Sequence, residues 1–285
     1  MPAVTLRNIA RRLCGSSLVW GVLVLLAATH AARAQTPQAP AVTIALVLAV
    51  DASGSVDTHR FELQKEGYAT AFRSAAVQNA IRALATPVIA VTMMQWTGPR
   101  LHVQVVDWSI IRGDDSANEL AAAIEEFPRQ LFGGGTSISG AIDFSRLLLA
   151  QCPCQPARRV IDISGDGSNN SGRPVRQARD EAVNDGVGIN GLPILAIEPD
   201  LDRYYYDNVI GGPGAFMIPA ANYDAFADAI QKKLITEIAA VEPARFQSLA
   251  RDSARFPASQ TRPSLNGKLG QFGNSIVAEK LIENR

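Results

Sequence analysis

The residues best suited to chemistry come as Asp51-Ala52-Ser53-Gly54-Ser55, directly after the apolar run Thr43 to Val50. An acid and two hydroxyls, each two residues apart, follow what reads as a buried strand. With the strand fixing the backbone and Gly54 letting it turn, Asp51, Ser53 and Ser55 converge on one point. Hard oxygen donors of low total charge suit a small divalent cation such as Mg2+ better than a soft metal. The same five residues also make an ordinary helix start, with Ser55 or Asp57 as the capping side chain. The rest of the chain has to decide between the two.

Two further segments bear on the choice. Phe132-Gly133-Gly134-Gly135-Thr136-Ser137 is a glycine-rich loop that allows close backbone approach and offers the Thr136 hydroxyl. Arg159 to Gly167 reads as a strand ending in Gly165-Asp166-Gly167, an acid between glycines that permit a tightly turned backbone. Taken singly, Thr136 is a helix cap and Asp166 a turn residue. Taken together and in this order, each at a strand end or helix start, they are harder to dismiss.

The elements that must hold these residues alternate along the chain. Strands are expected at Thr43 to Val50, Val88 to Trp96, Leu101 to Val106, Arg159 to Ser164, Ile189 to Ile197 and Ala215 to Ile218. The first, second and fifth are nearly continuous apolar runs, as in strands covered on both faces. The turn Thr97-Gly98-Pro99-Arg100 makes Val88 to Trp96 and Leu101 to Val106 an antiparallel hairpin at one edge. Helical stripes fall at Phe61, Tyr68, Phe72 and Ala76, at Ile138, Ile142, Ser145 and Leu149, and at Phe226, Ile230, Leu234 and Ile238. This alternation predicts an α/β fold with a doubly wound, mostly parallel sheet and helices on both faces. Ligands bind such sheets at the carboxyl ends of strands where the strand order reverses, and Asp51 and Asp166 both belong on that edge.

Domain boundaries follow from composition. Residues 1–34 read as an export signal: Arg7, Arg11 and Arg12, then the apolar Leu18 to Ala28, then Ala32-Arg33-Ala34 as cleavage site. Residues 41–240 form the folded domain, and 241–285, rich in Pro, Gly, Ser and Gln, a loosely packed or disordered extension with a short helix at Ser275 to Glu283. No segment approaches the apolar length of a bilayer span. Cleavage after Ala34 removes four of the 27 Lys and Arg and leaves 23 against 27 acids, a net of −4. That balance argues against nucleic acid or an anionic membrane surface as partner. The expected location is periplasmic or secreted. Cys152 and Cys154 remain after cleavage and are expected to close a small disulfide loop.

At this point the chain resembles the von Willebrand factor type A (vWA) domain with its metal-ion-dependent adhesion site. The D-x-S-x-S pattern is Asp51, Ser53 and Ser55. The threonine loop is Gly134-Gly135-Thr136, and the acid-glycine pair is Asp166-Gly167. The resemblance covers about Thr43 to Ile238 and looks closest to a bacterial family of exported, vWA-like proteins without an assigned function. It implies that Ser53, Ser55 and Thr136 supply hydroxyls to one Mg2+, Mn2+ or Ca2+ ion, with Asp51 and Asp166 near it directly or through water. It further implies an open coordination position that the Asp or Glu of a protein partner fills. The chain departs from the pattern at Gly165, where the family often has Thr or Ser. The polar run Ser168 to Gly172 is also unusual and stands where it can reshape the rim.

The competing class is a Mg-dependent phosphohydrolase with Asp51 as nucleophile. Such enzymes look for a second acid two residues on, where this chain has Ser53. Ser53 or Ser55 as nucleophile would want a histidine base, and the mature chain offers only His59 and His102. The expectation is therefore a binding domain, not an enzyme. Trp96 and Trp108 read either as an exposed binding surface or as edge-strand packing. Tyr204-Tyr205-Tyr206 reads as a short helix burying one or two rings, with part of a recognition rim as the alternative.

Overall fold

A computed structural model describes residues 38–240. The expected export signal, the C-terminal extension and its short helix lie outside the described residues.

The first strand, β1 (Ala41–Asp51), is buried along nearly its whole length. Ile44, Leu46, Leu48 and Val50 face one layer, while Ala45, Val47 and Ala49 face the other, as the two-residue period of a strand requires. A strand that is apolar on both sides must lie mid-sheet between helices. The other strands are β2 (Ile89–Trp96), β3 (His102–Ile111), β4 (Gln155–Gly165) and β5 (Val187–Pro193), in the order β3-β2-β1-β4-β5. All pairs are parallel except β2–β3, the expected edge hairpin. The sheet is thus the doubly wound one read from the sequence. The chain leaves β1 towards β2 on one side and returns to β4 on the other, so the strand order reverses beside the carboxyl end of β1.

Among the described residues seven helices cover the two faces. On one lie α1 (Thr58–Arg73), α2 (Ala75–Arg82), α3 (Asp114–Glu126) and α7 (Phe226–Ala239). The other carries α4 (Ile138–Ala150), α5 (Val175–Asn184) and α6 (Leu201–Asn208). Helix α1 starts at Asp57, whose side chain accepts from Arg60 N at 2.8 Å. The α7 stripe of Phe226, Ile230, Leu234 and Ile238 is fully buried. Each such side chain contributes about 1.5–3 kcal/mol on leaving water.

Three expectations need correction. Phe61, Tyr68, Phe72 and Ala76 do not share one helix, because Ser74 ends α1 and caps α2. Its hydroxyl accepts from Val77 N, which favours a fresh helix start over continuation. Strand β5 stops at Pro193, short of Ile197. Ala215 to Ile218 forms no named strand: Met217 makes an isolated parallel bridge to Gly191, and Ala220 another to Ile194. The glycines at 212 and 214 have positive φ and Pro219 carries no N–H, so the segment cannot sustain a ladder. The hairpin strand β3, in contrast, runs on to Ile111 through register shifts against Val91 to Met94.

Cys152 and Cys154 are disulfide-bonded in the turn between α4 and β4. Trp96 is fully buried, and Trp108 donates its indole N–H to Leu148 O at 3.3 Å. Edge packing therefore accounts for Trp108, while Trp96 packs inward at the carboxyl end of β2, within 3.2 Å of the Gly165 Cβ position.

Candidate metal centre

Three loops meet where β1 and β4 end. Asp51 closes β1 and is fully buried. Its Oδ1 accepts from Ser53 N at 2.7 Å, while its main-chain carbonyl accepts from Gln64 Nε2 at 3.1 Å. Asp57 takes the helix cap, which frees Ser55 from that role. The Ser55 hydroxyl instead donates to Asp166 Oδ1 at 2.6 Å, and the Ser53 and Ser55 hydroxyls stand 3.2 Å apart. Four of the five sequence-predicted residues are thereby joined, across 111 positions of sequence.

The fifth, Thr136, follows the glycine loop. Gly133 and Gly134 take positive φ, the left-handed region that favours glycine, and Gly134 O comes within 3.3 Å of Gly54 N. Ser137, not Thr136, caps α4 by accepting from Gly140 N. Thr136 is buried, with its hydroxyl 3.6 Å from where a side chain on Gly167 would begin. The polar run 168–172 acts as a clamp on this loop. Asn170 Oδ1 accepts from Thr136 N at 2.8 Å, and Thr136 O accepts from Asn170 N at 2.9 Å. Ser168 binds Glu198, whose carboxylate also lies 3.4 Å from the Gly167 Cβ position, so a third acid stands at the rim.

Several residues around the site carry no signal that sequence reading detects. Tyr223, 57 residues beyond Asp166, donates to Asp166 Oδ2 at 2.8 Å. Burial and then the Asp166 charge raise its phenol further, so it stays a donor. Arg60 donates to Ser55 O at 2.7 Å, and its Nη1 stands 3.9 Å from Asp166 Oδ2. Arg129 holds the first loop from the other side through Ala52 O at 2.9 Å, between the rings of Phe61 and Phe132.

The electrostatics favour a cation. Burial, then the nearby charge of Asp166, pushes the Asp51 carboxyl from 3.8 up to about 7. Asp51 Oδ2 is buried without a hydrogen-bond partner, so the ionised carboxylate would lie uncompensated. Among the described residues no group of three or more His, Cys, Asp or Glu is placed to hold a metal. An ion here would have two carboxylates and a set of hydroxyls, which fits a hard divalent ion with an open position better than a closed calcium cage. His59, in contrast, is exposed, and His102 stacks on Phe144 at 4.2 Å.

A family described as "Protein of unknown function (DUF1194)" matches residues 41–242. No curated protein matches the chain. Among solved structures, proximal thread matrix protein 1 from the mussel byssus is similar at a TM-score of 0.52 and 12% identity, over 70% of this chain and 48% of its own. The same byssus protein with a zinc-occupied MIDAS motif gives 0.48 and 14%, over 70% and 46%. A von Willebrand factor type A structure from Catenulispora acidiphila gives 0.46 and 15%, over 70% and 43%. The chain thus spans about half the length of these solved structures. At such identities the likeness is one of fold, and the fold is the doubly wound α/β one shared with the byssus protein. No helix among the described residues is long and apolar enough to cross a membrane.

Proposed function

The chain belongs to the DUF1194 family, and we propose that it is an exported, metal-dependent binding domain whose divalent cation docks a carboxylate of a protein partner. The observation that carries this reading is the convergence of Asp51, Ser53, Ser55 and Asp166 around an acid with one buried oxygen unpartnered. Ser53, Ser55 and Thr136 would supply hydroxyl oxygens, and Asp51 and Asp166 the charge, with Mg2+ the preferred ion. Hydroxyl donors add no charge, so an ion held this way stays electrophilic towards an anionic ligand.

The rim supports a protein ligand. Phe132 is 71% exposed and Leu101 51% exposed, and Leu101 lies 3.6 Å from the Cβ position of Gly134 in the same loop. A partner acid flanked by an apolar side chain fits this edge. Export rests on the arrangement of residues 1–34, and mature protein should begin at Gln35; N-terminal sequencing that found Met1 on the folded protein would overturn that part.

The binding reading is tested by recovering partners of the mature protein from cell extract with Mg2+ and with chelator. The expected result is a partner retained with Mg2+, released by chelator and lost with Asp51→Ala. Turnover of phosphate esters that Asp51→Ala destroys would instead establish the hydrolase.

A further inference from the structure

Gly165, the last residue of β4, sits where three buried polar groups converge. A Cβ there would lie 3.0 Å from Asp51 Oδ2, 3.0 Å from the Tyr205 hydroxyl and 3.2 Å from a ring carbon of Trp96. All three side chains are fully buried. The Asp51 Oδ2, the Tyr205 hydroxyl and the Trp96 Nε1 are each without a hydrogen-bond partner. Two donors and one carboxylate oxygen therefore stand around the same glycine, beside the proposed cation.

The slot that holds Tyr205 is cut on two strands. On β5, a Cβ at Gly191 would come within 2.7 Å of Tyr205 Cδ1, and on β4 one at Gly165 would crowd the hydroxyl. Gly191 pairs with Ile163, so the two glycines lie on adjoining strands beneath one ring. Its neighbours in the tyrosine run do other work. Tyr204 accepts from Asn169 N at 3.2 Å, and Tyr206 is 66% exposed. Packing alone would be served by phenylalanine, which fills the same slot without burying a hydroxyl. The hydroxyl needs a reason, and Asp51 Oδ2 stands at the same 3.0 Å from the Gly165 Cβ position.

We infer that the Tyr205 hydroxyl is a positioning group of the cation site, unbonded as it stands but placed to donate to Asp51 Oδ2 once that carboxylate turns towards an ion, and that Gly165 lacks a side chain in order to admit it. The inference rests on the metal reading above. With Oδ1 already held by Ser53 N, a donor on Oδ2 fixes the carboxylate in a single orientation towards the ion. Groups that orient a metal's carboxylate in this way typically change affinity 10–100-fold when removed. It also accounts for the departure at position 165, because a serine or threonine hydroxyl there would occupy the place that Tyr205 fills from α6.

Calorimetric titration of the mature protein with Mg2+ tests this, alongside the metal-free melting midpoint. Tyr205→Phe keeps the ring and should weaken the ion about tenfold or more, without lowering the metal-free midpoint. Gly165→Ser should also weaken it, by crowding the hydroxyl. The double variant Gly165→Ser/Tyr205→Phe should recover most of the loss, since one hydroxyl again stands at the same point. Wild-type affinity in Tyr205→Phe, or a loss confined to metal-free stability, overturns the inference while leaving the metal site intact. A double variant no better than Gly165→Ser overturns the claim that the two residues share one place. Failure of the wild type to bind any divalent ion removes the metal reading itself, and this inference with it.

Discussion

Two buried aspartates four residues apart, Asp162 within β4 and Asp166 just past its end, are both fully buried and are compensated differently. Asp162 faces Lys233 of α7, with Nζ 2.7 Å from Oδ1 and both side chains inaccessible to solvent. At that distance Coulomb attraction between the two charges holds the pair. One turn further along α7, Glu237 is matched by Arg158 at 2.9 Å and by Asn190. Deep in the core, then, the chain supplies its own cations. At the sheet edge it does not do so for Asp51, and Asp166 has only hydroxyls and a distant Arg60. The difference bears on the proposed metal site: Asp162 has its cation within the chain, whereas Asp51 has none there and would take one from solution.

The largest effect should come from breaking the closed site. Lys233→Ala leaves Asp162 uncompensated and should cost about 3–5 kcal/mol, with or without divalent ions, in denaturant unfolding. Replacing both partners by apolar residues, Asp162→Leu with Lys233→Met, should return most of that loss. A single variant as stable as wild type would show that the pair is not what neutralises Asp162.

A somewhat smaller effect lies in pH. The Asp51 carboxyl is raised in the folded state from 3.8 to about 7, so the folded protein holds a proton that the unfolded chain has released. Without divalent ions, this group's contribution is full below its ordinary value and declines as pH rises towards about 7, by up to about 4 kcal/mol. Asp51→Asn should flatten that slope, whereas the part due to Asp162, also raised by burial, should persist. Unfolding midpoints measured in chelator from about pH 4 to about pH 8 check this. An unchanged slope in Asp51→Asn would contradict it.

Smaller again is Tyr223→Phe, which removes a donor to Asp166 and should cost about 1.5–3 kcal/mol without altering Lys233 or Asp162. Additivity with Lys233→Ala in the double variant would show that the two sites are independent.

Much of this arrangement was legible in the sequence because it is local. Asp51, Ser53 and Ser55 are two residues apart at a strand end, and the apolar runs fixed which segments lie between helices. The mostly parallel, doubly wound sheet followed from the alternation, and the hairpin from Thr97 to Arg100. What was not legible depends on long-range contact. Tyr223 and Lys233 reach their acids across the fold, and no spacing rule links residues so far apart. The helix break at Ser74 was missed because the apolar period runs on through it, whereas the serine hydroxyl decides the boundary. Ala215 to Ile218 reads as a strand because its side chains fit one. Its backbone, between glycines with positive φ and Pro219, makes only isolated bridges.

The central claim is that the open site takes its cation from solution, and a thermal melt of the mature protein with and without Mg2+ tests it most directly. At an ion concentration ten times the dissociation constant, binding to the folded state should add about 1.4 kcal/mol. That amounts to a rise of about 3–6 °C in a domain of this size. Asp51→Ala should fold, because the site lies at the sheet edge, and should show no rise. If wild type and Asp51→Ala melt identically with and without Mg2+, Mn2+ and Ca2+, the site holds no cation and the account is wrong.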